Sequence, residues 1–548
     1  MPTPPANGTT SNNPFPYGTA GSNSFRIPSM VTLPDGSLLA AADIRYNCTY
    51  DGGGLDTIVS RSTDGGSTWN YSIANYLGDN GNTYNGSSST AFIDPALTVV
   101  GNRVYMLVDL YPYGIALNGS GNTQPLTTLG FDSSGRLKLS NDNHSSYGYY
   151  LSGNTIYSNS GTAQTGYYVD GKFNIYTVNV STRTYISNLF FSDSPFKVVR
   201  TGYLYVTYSD DYGTTWSDPQ LLNNIKTSNE QVCLVAPGRG FTTSDGTIIF
   251  PVYKYYGSAD TQRMGFIYST DGVNWSRSAD KSTDYTASWS SEATVVELAD
   301  GTLRFFYRNG TTYLCYADYN WSTGWSSSVN TGIHNNSNCQ MSAITYSKTS
   351  DGKQVILVSG PQGPSATGSD QSGASYRKNG KIWIGLVNDD KTISWQTNKT
   401  ISVPSVHTSD SFMYSCMTEM PDGSIAILYE DNEAGWGSGS GKYYEMSYKT
   451  YASSALGLTF DEPSVPTYDT ITDPDSDVTI YKQNGKFTTF TATSTSAPSV
   501  TGASNVVAYQ MAPKIVSGNY VASASITIPI PEGWNTSLVK GFIKNNDN

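Results

Sequence analysis

A two-residue turn signal recurs along this chain at intervals that few folds accept. Asp-Gly or Gly-Asn between two apolar runs is the strongest short-range sign of a β-hairpin, because the tight turn needs left-handed backbone. It occurs at Asp35-Gly36, Gly101-Asn102, Asp245-Gly246, Asp300-Gly301, Asp351-Gly352 and Asp422-Gly423, each followed by a strand-like run such as Ser424-Ile425-Ala426-Ile427-Leu428. Glycine spacings of about 65, 55, 51 and 71 residues suit one four-stranded unit each, and the remaining gap is too long by about 85. The prediction is an all-β chain: a six-bladed β-propeller with a small β insertion, about residues 114–195, in its second blade.

A second repeat agrees. Ser62-x-Asp64-x-Gly66-x-x-Trp69 and Ser209-x-Asp211-x-Gly213-x-x-Trp216 share one pattern, and Ser269-x-Asp271-Gly272-x-x-Trp275 is one residue shorter. Asp318 to Trp325 reads as a degenerate fourth copy. In such a turn the carboxylate caps the hairpin backbone and the indole wedges between blades. These are marks of fold rather than substrate contacts.

Composition narrows the function. With 42 Tyr and 53 Gly but only 14% charged residues, the chain favours pleated strands and tight turns. A net charge of −12, with no cluster of Lys and Arg, argues against a nucleic-acid partner. Five scattered cysteines (Cys48, Cys233, Cys315, Cys339, Cys416) read as small buried hydrophobes, and the three histidines (His144, His334, His407) form no zinc or triad motif. No metal or cofactor is expected. No run of 18 apolar residues occurs, hence no membrane-spanning helix, and the first residues are no signal peptide. The chain reads as part of a longer exported protein, secreted or held at the cell surface. Residues 1–20 read as a linker, 21–456 as the propeller, 457–476 as a second linker and 477–548 as a small β-sandwich-like accessory module.

Between the turns lie Phe25-Arg26-Ile27-Pro28, Asp51 before three glycines, Glu292 in Ser-Glu-Ala, Arg308 in Phe-Tyr-Arg-Asn, Arg377 in Arg-Lys-Asn-Gly and Tyr414 in Tyr-Ser-Cys-Met-Thr. In that order, over about residues 20 to 455, they resemble the active site of bacterial sialidases. The Ser-x-Asp turns are similar to the Asp boxes of that family. The insertion resembles one found in the branch that includes intramolecular trans-sialidases.

The resemblance implies a division of labour. Sialic acid carries a carboxylate on its anomeric carbon, which calls for a cationic clamp, and arginine's planar fork suits a carboxylate better than lysine. The motifs assign the clamp to Arg26, Arg308 and Arg377. The same carboxylate repels an Asp or Glu nucleophile, so the family uses tyrosine, here Tyr414, with Glu292 as its base and Asp51 as acid/base. By the same resemblance Arg45 contacts the C4 hydroxyl, Asp94 accepts from the acetamido N–H, Glu430 holds Arg26, and Trp436 stacks on sugar or packs its loop.

The implied activity is that of a retaining exo-sialidase acting on sialylated glycans, glycoproteins or mucins as a monomer. Release of a 2,7-anhydro sugar, or of an unsaturated one after proton loss from C3, are alternatives. A non-catalytic sialoglycan-binding propeller, or one acting on other glycans, is the rival class.

Overall fold

A computed structural model describes residues 1–46, 51–78, 90–117, 123–180, 182–257, 261–282, 289–336, 338–364, 376–432 and 445–461, together with five strands beyond them. Two compact units result, Met1–Phe460 and Asp461–Asn548. The second contains a three-stranded sheet of Tyr468–Thr472, Thr479–Gln483 and Ala524–Thr527, and a pair formed by Phe487–Thr495 and Ala508–Ile515. No helix among the described residues is long and apolar enough to cross a membrane.

The first unit is the propeller. Blade 1 runs Ser24–Thr32, Leu38–Arg45, Leu55–Ser62, Thr68–Asn75, and blade 2 runs Ala91–Val100, Arg103–Tyr111, Tyr203–Ser209, Gln220–Leu221. Blades 3 to 5 begin with Val232–Val235, Ala293–Glu297 and Ser342–Thr345, and blade 6 is Ser415–Glu419, Ile425–Asp431, Glu445–Tyr451. The six turn glycines sit at hairpins between first and second strands, all with positive φ: 82° at Gly36, 55° at Gly101, 87° at Gly246, 83° at Gly301, 70° at Gly352 and 79° at Gly423. The predicted turn chemistry therefore has its backbone cause.

Strand periodicity explains the ring. Alternate side chains of a strand leave on opposite faces, and here each face meets a neighbouring blade. On blade 4, Leu303, Phe305 and Tyr307 pack towards blade 3 while Phe306 packs towards blade 5. Each of the six interfaces has such a cluster, down to the seam where Ile44, Ile58 and Trp69 of blade 1 meet Cys416, Leu428 and Met446 of blade 6.

The indoles follow the same rule. Trp69 packs edge-on against Tyr448 of blade 6 at 5.2 Å, Trp275 meets Tyr105 of blade 2 at 6.5 Å, and Trp325 donates to the Ala279 carbonyl of blade 3 at 2.7 Å. In the Asp64 turn the carboxylate accepts from the Thr68 N–H at 2.9 Å and from its hydroxyl at 2.7 Å, and the Asp211 turn repeats this on Thr215. The expected fourth copy differs: Asp318 accepts from Arg304 at 2.7 and 2.8 Å and caps no turn.

A turn of this kind that the pattern missed lies in the insertion. Ser140 donates to Asp142 at 2.7 Å, and Asp142 accepts from Ser146 N–H and hydroxyl at 3.0 and 2.6 Å. Asn143 and His144, with φ of 56° and 70°, occupy the left-handed positions that Gly65 and Gly66 fill in the Asp64 turn. The insertion's two small sheets span Leu137–Ser140 to Lys197–Val198, slightly beyond the expected end, and share one core with blade 2 through Leu110, Leu139, Ile175 and Phe190. Residues 1–20 also depart from the linker reading. Gly8–Ser11 pairs antiparallel with Thr68–Asn75 as an outer strand, and Phe15, fully buried, stacks on Phe25 at 5.5 Å. One buried ring anchors what composition alone presents as a spacer. The four described cysteines are buried and form no disulfide.

Candidate active site

The order of strands gathers the chemistry at one end of the ring. Hairpins close the other end, so the starts of first strands, the ends of second strands and the loops after them share a face. Arg26 and Asp94 lie in the first strands of blades 1 and 2, and Glu292 and Tyr414 stand immediately before those of blades 4 and 6. Arg45, Arg308 and Glu430 come from the ends of second strands, and Asp51 from the loop after one.

Two of these first strands share a strained bulge. Ile27 in Phe-Arg-Ile-Pro and Asp94 in Phe-Ile-Asp-Pro have φ of 63° and 64°, with register shifts between Arg26 and Ser29 and between Ile93 and Ala96. Left-handed backbone is costly for a β-branched residue and unfavourable before proline. A bulge also frees an N–H, and a buried carboxylate from the preceding blade accepts it. Glu430 takes the Ile27 N–H at 2.8 Å and Asp43 takes that of Asp94 at 3.1 Å. Asp109 does the same for Val235 of blade 3 at 3.1 Å. Asp43 and Asp109 carry no sequence motif, only their equivalent place on the second strand. Burial raises Asp43 to about 7 against the pull of Arg45, and raises Asp109 well above the usual range.

At the centre, the Tyr414 hydroxyl donates to Glu292 Oε1 at 2.5 Å and accepts from Arg308 Nη1 at 2.8 Å, which also donates to both Glu292 oxygens at 3.0 Å. Arg26 and Arg377 lie 5.2 and 5.3 Å from the Tyr414 ring centre. The three clamp arginines thus surround one phenol that is only 5% exposed. Burial pushes the Tyr414 phenol well above its ordinary value, and the arginines only partly offset it, with Glu292 adding to the rise. The resting tyrosine is neutral, with its proton already aimed at a carboxylate.

Asp51 sits opposite. Its Oδ1 accepts from Arg26 Nη1 at 3.2 Å and from Arg45 Nη1 at 3.1 Å, with the side chain 38% exposed. Burial opposes its charge, but Arg45 and Arg26 prevail and hold its carboxyl below the usual range. Arg45 is fully buried and also paired with Asp43 at 2.8 Å. The half-buried carboxyl of Asp94 is pushed well up, first by burial, then by Asp43, Asp109 and Glu292. Glu430, fully buried, grips Arg26 Nε and Nη2 at 3.1 and 3.3 Å. Trp436 lies outside the described residues. Tyr111 and Tyr253, buried beside Asp94, were not singled out by any motif; burial is the main cause of their raised phenols, with nearby carboxylates adding to it. Asn338, also unmarked in sequence, touches both Arg308 and Arg377. No cluster of metal-ligating side chains occurs among the described residues.

Comparison with known proteins places this geometry. The model of the BNR repeat-like domain matches residues 27–430. The chain is 31% identical over 463 residues to the anhydrosialidase of Macrobdella decora, covering 75% of this chain and 58% of that one. It is 28% identical to sialidase B of Streptococcus pneumoniae, covering 74% and 61%. The chain thus spans less than two thirds of the length of these curated relatives. The solved intramolecular trans-sialidase of Ruminococcus gnavus, in complex with oseltamivir carboxylate, superposes with a TM-score of 0.66 at 30% identity, covering 82% of this chain and 98% of that one. This chain belongs to the BNR-repeat sialidase family, in company with its intramolecular trans-sialidases.

Proposed function

We propose that the protein is a retaining exo-sialidase working through a covalent tyrosyl intermediate. The single observation that carries this reading is the 2.5 Å hydrogen bond from the Tyr414 hydroxyl to Glu292, set within three guanidiniums. Arg26, Arg308 and Arg377 bind the substrate carboxylate, which places C2 above the Tyr414 oxygen. As the Tyr414 oxygen bonds to C2, its proton passes to Glu292. The C2–oxygen bond to the leaving sugar breaks, and that oxygen takes the proton of Asp51. In the second step an acceptor hydroxyl gives its proton to Asp51 and bonds to C2, and the departing phenolate recovers its proton from Glu292. Arg45 and Asp94 are assigned to the C4 hydroxyl and the acetamido group, and Trp436 to the aglycone side.

Substrate binding also prepares the acid. The incoming carboxylate competes for Arg26, one of the cations that keep Asp51 ionised, so the Asp51 carboxyl gains proton affinity when a glycan needs it. In this reading the protein acts as a monomer. Terminal sialic acids on glycoproteins or mucins are the natural substrates, which places the protein outside the cell or on its surface.

A second acceptor is favoured by one finding, the 30% identity to an intramolecular trans-sialidase whose chain is covered to 98%. There the C7 hydroxyl of the bound sugar replaces water and yields a 2,7-anhydro product. Incubation with α2,3- and α2,6-sialyllactose, with the released sugar identified by NMR, separates the outcomes. Free sialic acid is expected for hydrolysis and the anhydro sugar for intramolecular transfer. Loss of turnover in Tyr414→Phe, by roughly 100-fold or more, is expected for either. Binding without release of any sugar would overturn the enzymatic reading.

A further inference from the structure

The three clamp arginines are all held by the same edge. Each guanidinium presents its Nε and Nη2 to an acceptor. For Arg26 the acceptor is the Glu430 carboxylate. For Arg308 it is the side-chain Oδ1 of Asn338, at 3.0 and 2.9 Å. For Arg377 it is the main-chain carbonyl of the same Asn338, at 3.2 and 2.9 Å. One residue therefore fixes two of the three cations, using two different oxygens.

The chemistry of those oxygens matters as much as their positions. A guanidinium has donors only, so only the oxygen of the Asn338 amide can face it, and the orientation of that amide is dictated. A carboxylate in the same place would make stronger bonds, yet it would cancel charge that a bound carboxylate needs. Arg308 already faces Glu292, and Arg26 faces Glu430 and Asp51. The two neutral oxygens of Asn338 orient Arg308 and Arg377 without adding a further anion.

We infer that Asn338 is a positioning residue for carboxylate recognition, whose neutral amide keeps the clamp both aligned and cationic. This rests on the sialidase reading, and the test separates the two. The readout is discrimination between an α-methyl sialoside and the same sugar as its neutral carboxyl methyl ester, measured by calorimetry, alongside KM and kcat with sialyllactose. The wild-type protein is expected to prefer the free acid strongly. In Asn338→Asp the introduced carboxylate competes for Arg308, so acid-over-ester preference falls at least about tenfold, and KM rises more than kcat falls. Asn338→Ala removes only Oδ1 and leaves the carbonyl on Arg377, so a smaller loss of roughly threefold to tenfold is expected.

A thermal midpoint for each variant within a few degrees of wild type ties these changes to the site, and the alanine variant carries the test if the aspartate variant fails to fold. A wild type that discriminates acid from ester, with both variants discriminating equally well, overturns the role of Asn338 alone. A wild type that neither cleaves nor distinguishes the two sugars overturns the sialidase reading, and this inference falls with it.

Discussion

At the residue scale, the position of Asp51 creates a pH signature. Its carboxylate bridges Arg26 and Arg45 in the free protein, and these arginines outweigh the opposing effect of burial. A proton donor with a lowered pKa is lost at lower pH. The basic limb of kcat/KM reports the free protein and that of kcat the complex. Once substrate draws on Arg26, the kcat limb is expected at higher pH than the kcat/KM limb. Parallel pH profiles check this, and coincident limbs would remove the priming argument. The stability linkage has the opposite sense: the lowered carboxyl stabilises the fold above its unfolded pKa, and that contribution fades as pH falls through the folded value.

Elements carry a different set of consequences. Trp69 is fully buried at the junction of the first and last blades, with its indole N–H on the Gly66 carbonyl at 2.9 Å. Trp69→Ala is expected to cost about 3–5 kcal/mol of stability, read by denaturant unfolding, with kcat at 25 °C retained because the indole lies outside the site. The hairpins, the long gap in blade 2 and the nine described candidate residues were legible in the sequence because turn glycines and family motifs mark them. The turn at Asp142 was not, since His144 and Tyr147 replace the glycine and tryptophan of the pattern. Asp43 and Asp109 were hidden for another reason: each is one acidic residue inside a strand, and its meaning comes from the N–H of the next blade. Half of what Asn338 does is main-chain chemistry, which no side-chain pattern can signal.

The whole molecule concentrates all the described candidate site residues in the unit Met1–Phe460. A protein ending at residue 461 is accordingly expected to fold and to keep kcat on sialyllactose within about twofold of the full chain. A loss of activity with intact ellipticity would assign the remaining residues a part in turnover.

The grip of Glu430 on Arg26 also dictates when this part of the site can form during biosynthesis. The two partners are 404 residues apart, and a ribosome adding about 5–20 residues per second needs roughly 20–80 s to join them. Throughout that interval Arg26 and the Ile27 N–H lack the carboxylate of Glu430 that grips them, and Tyr414 is joined only 16 residues before it. A nascent chain shorter than 430 residues therefore cannot close the arrangement around Arg26 that the folded protein shows.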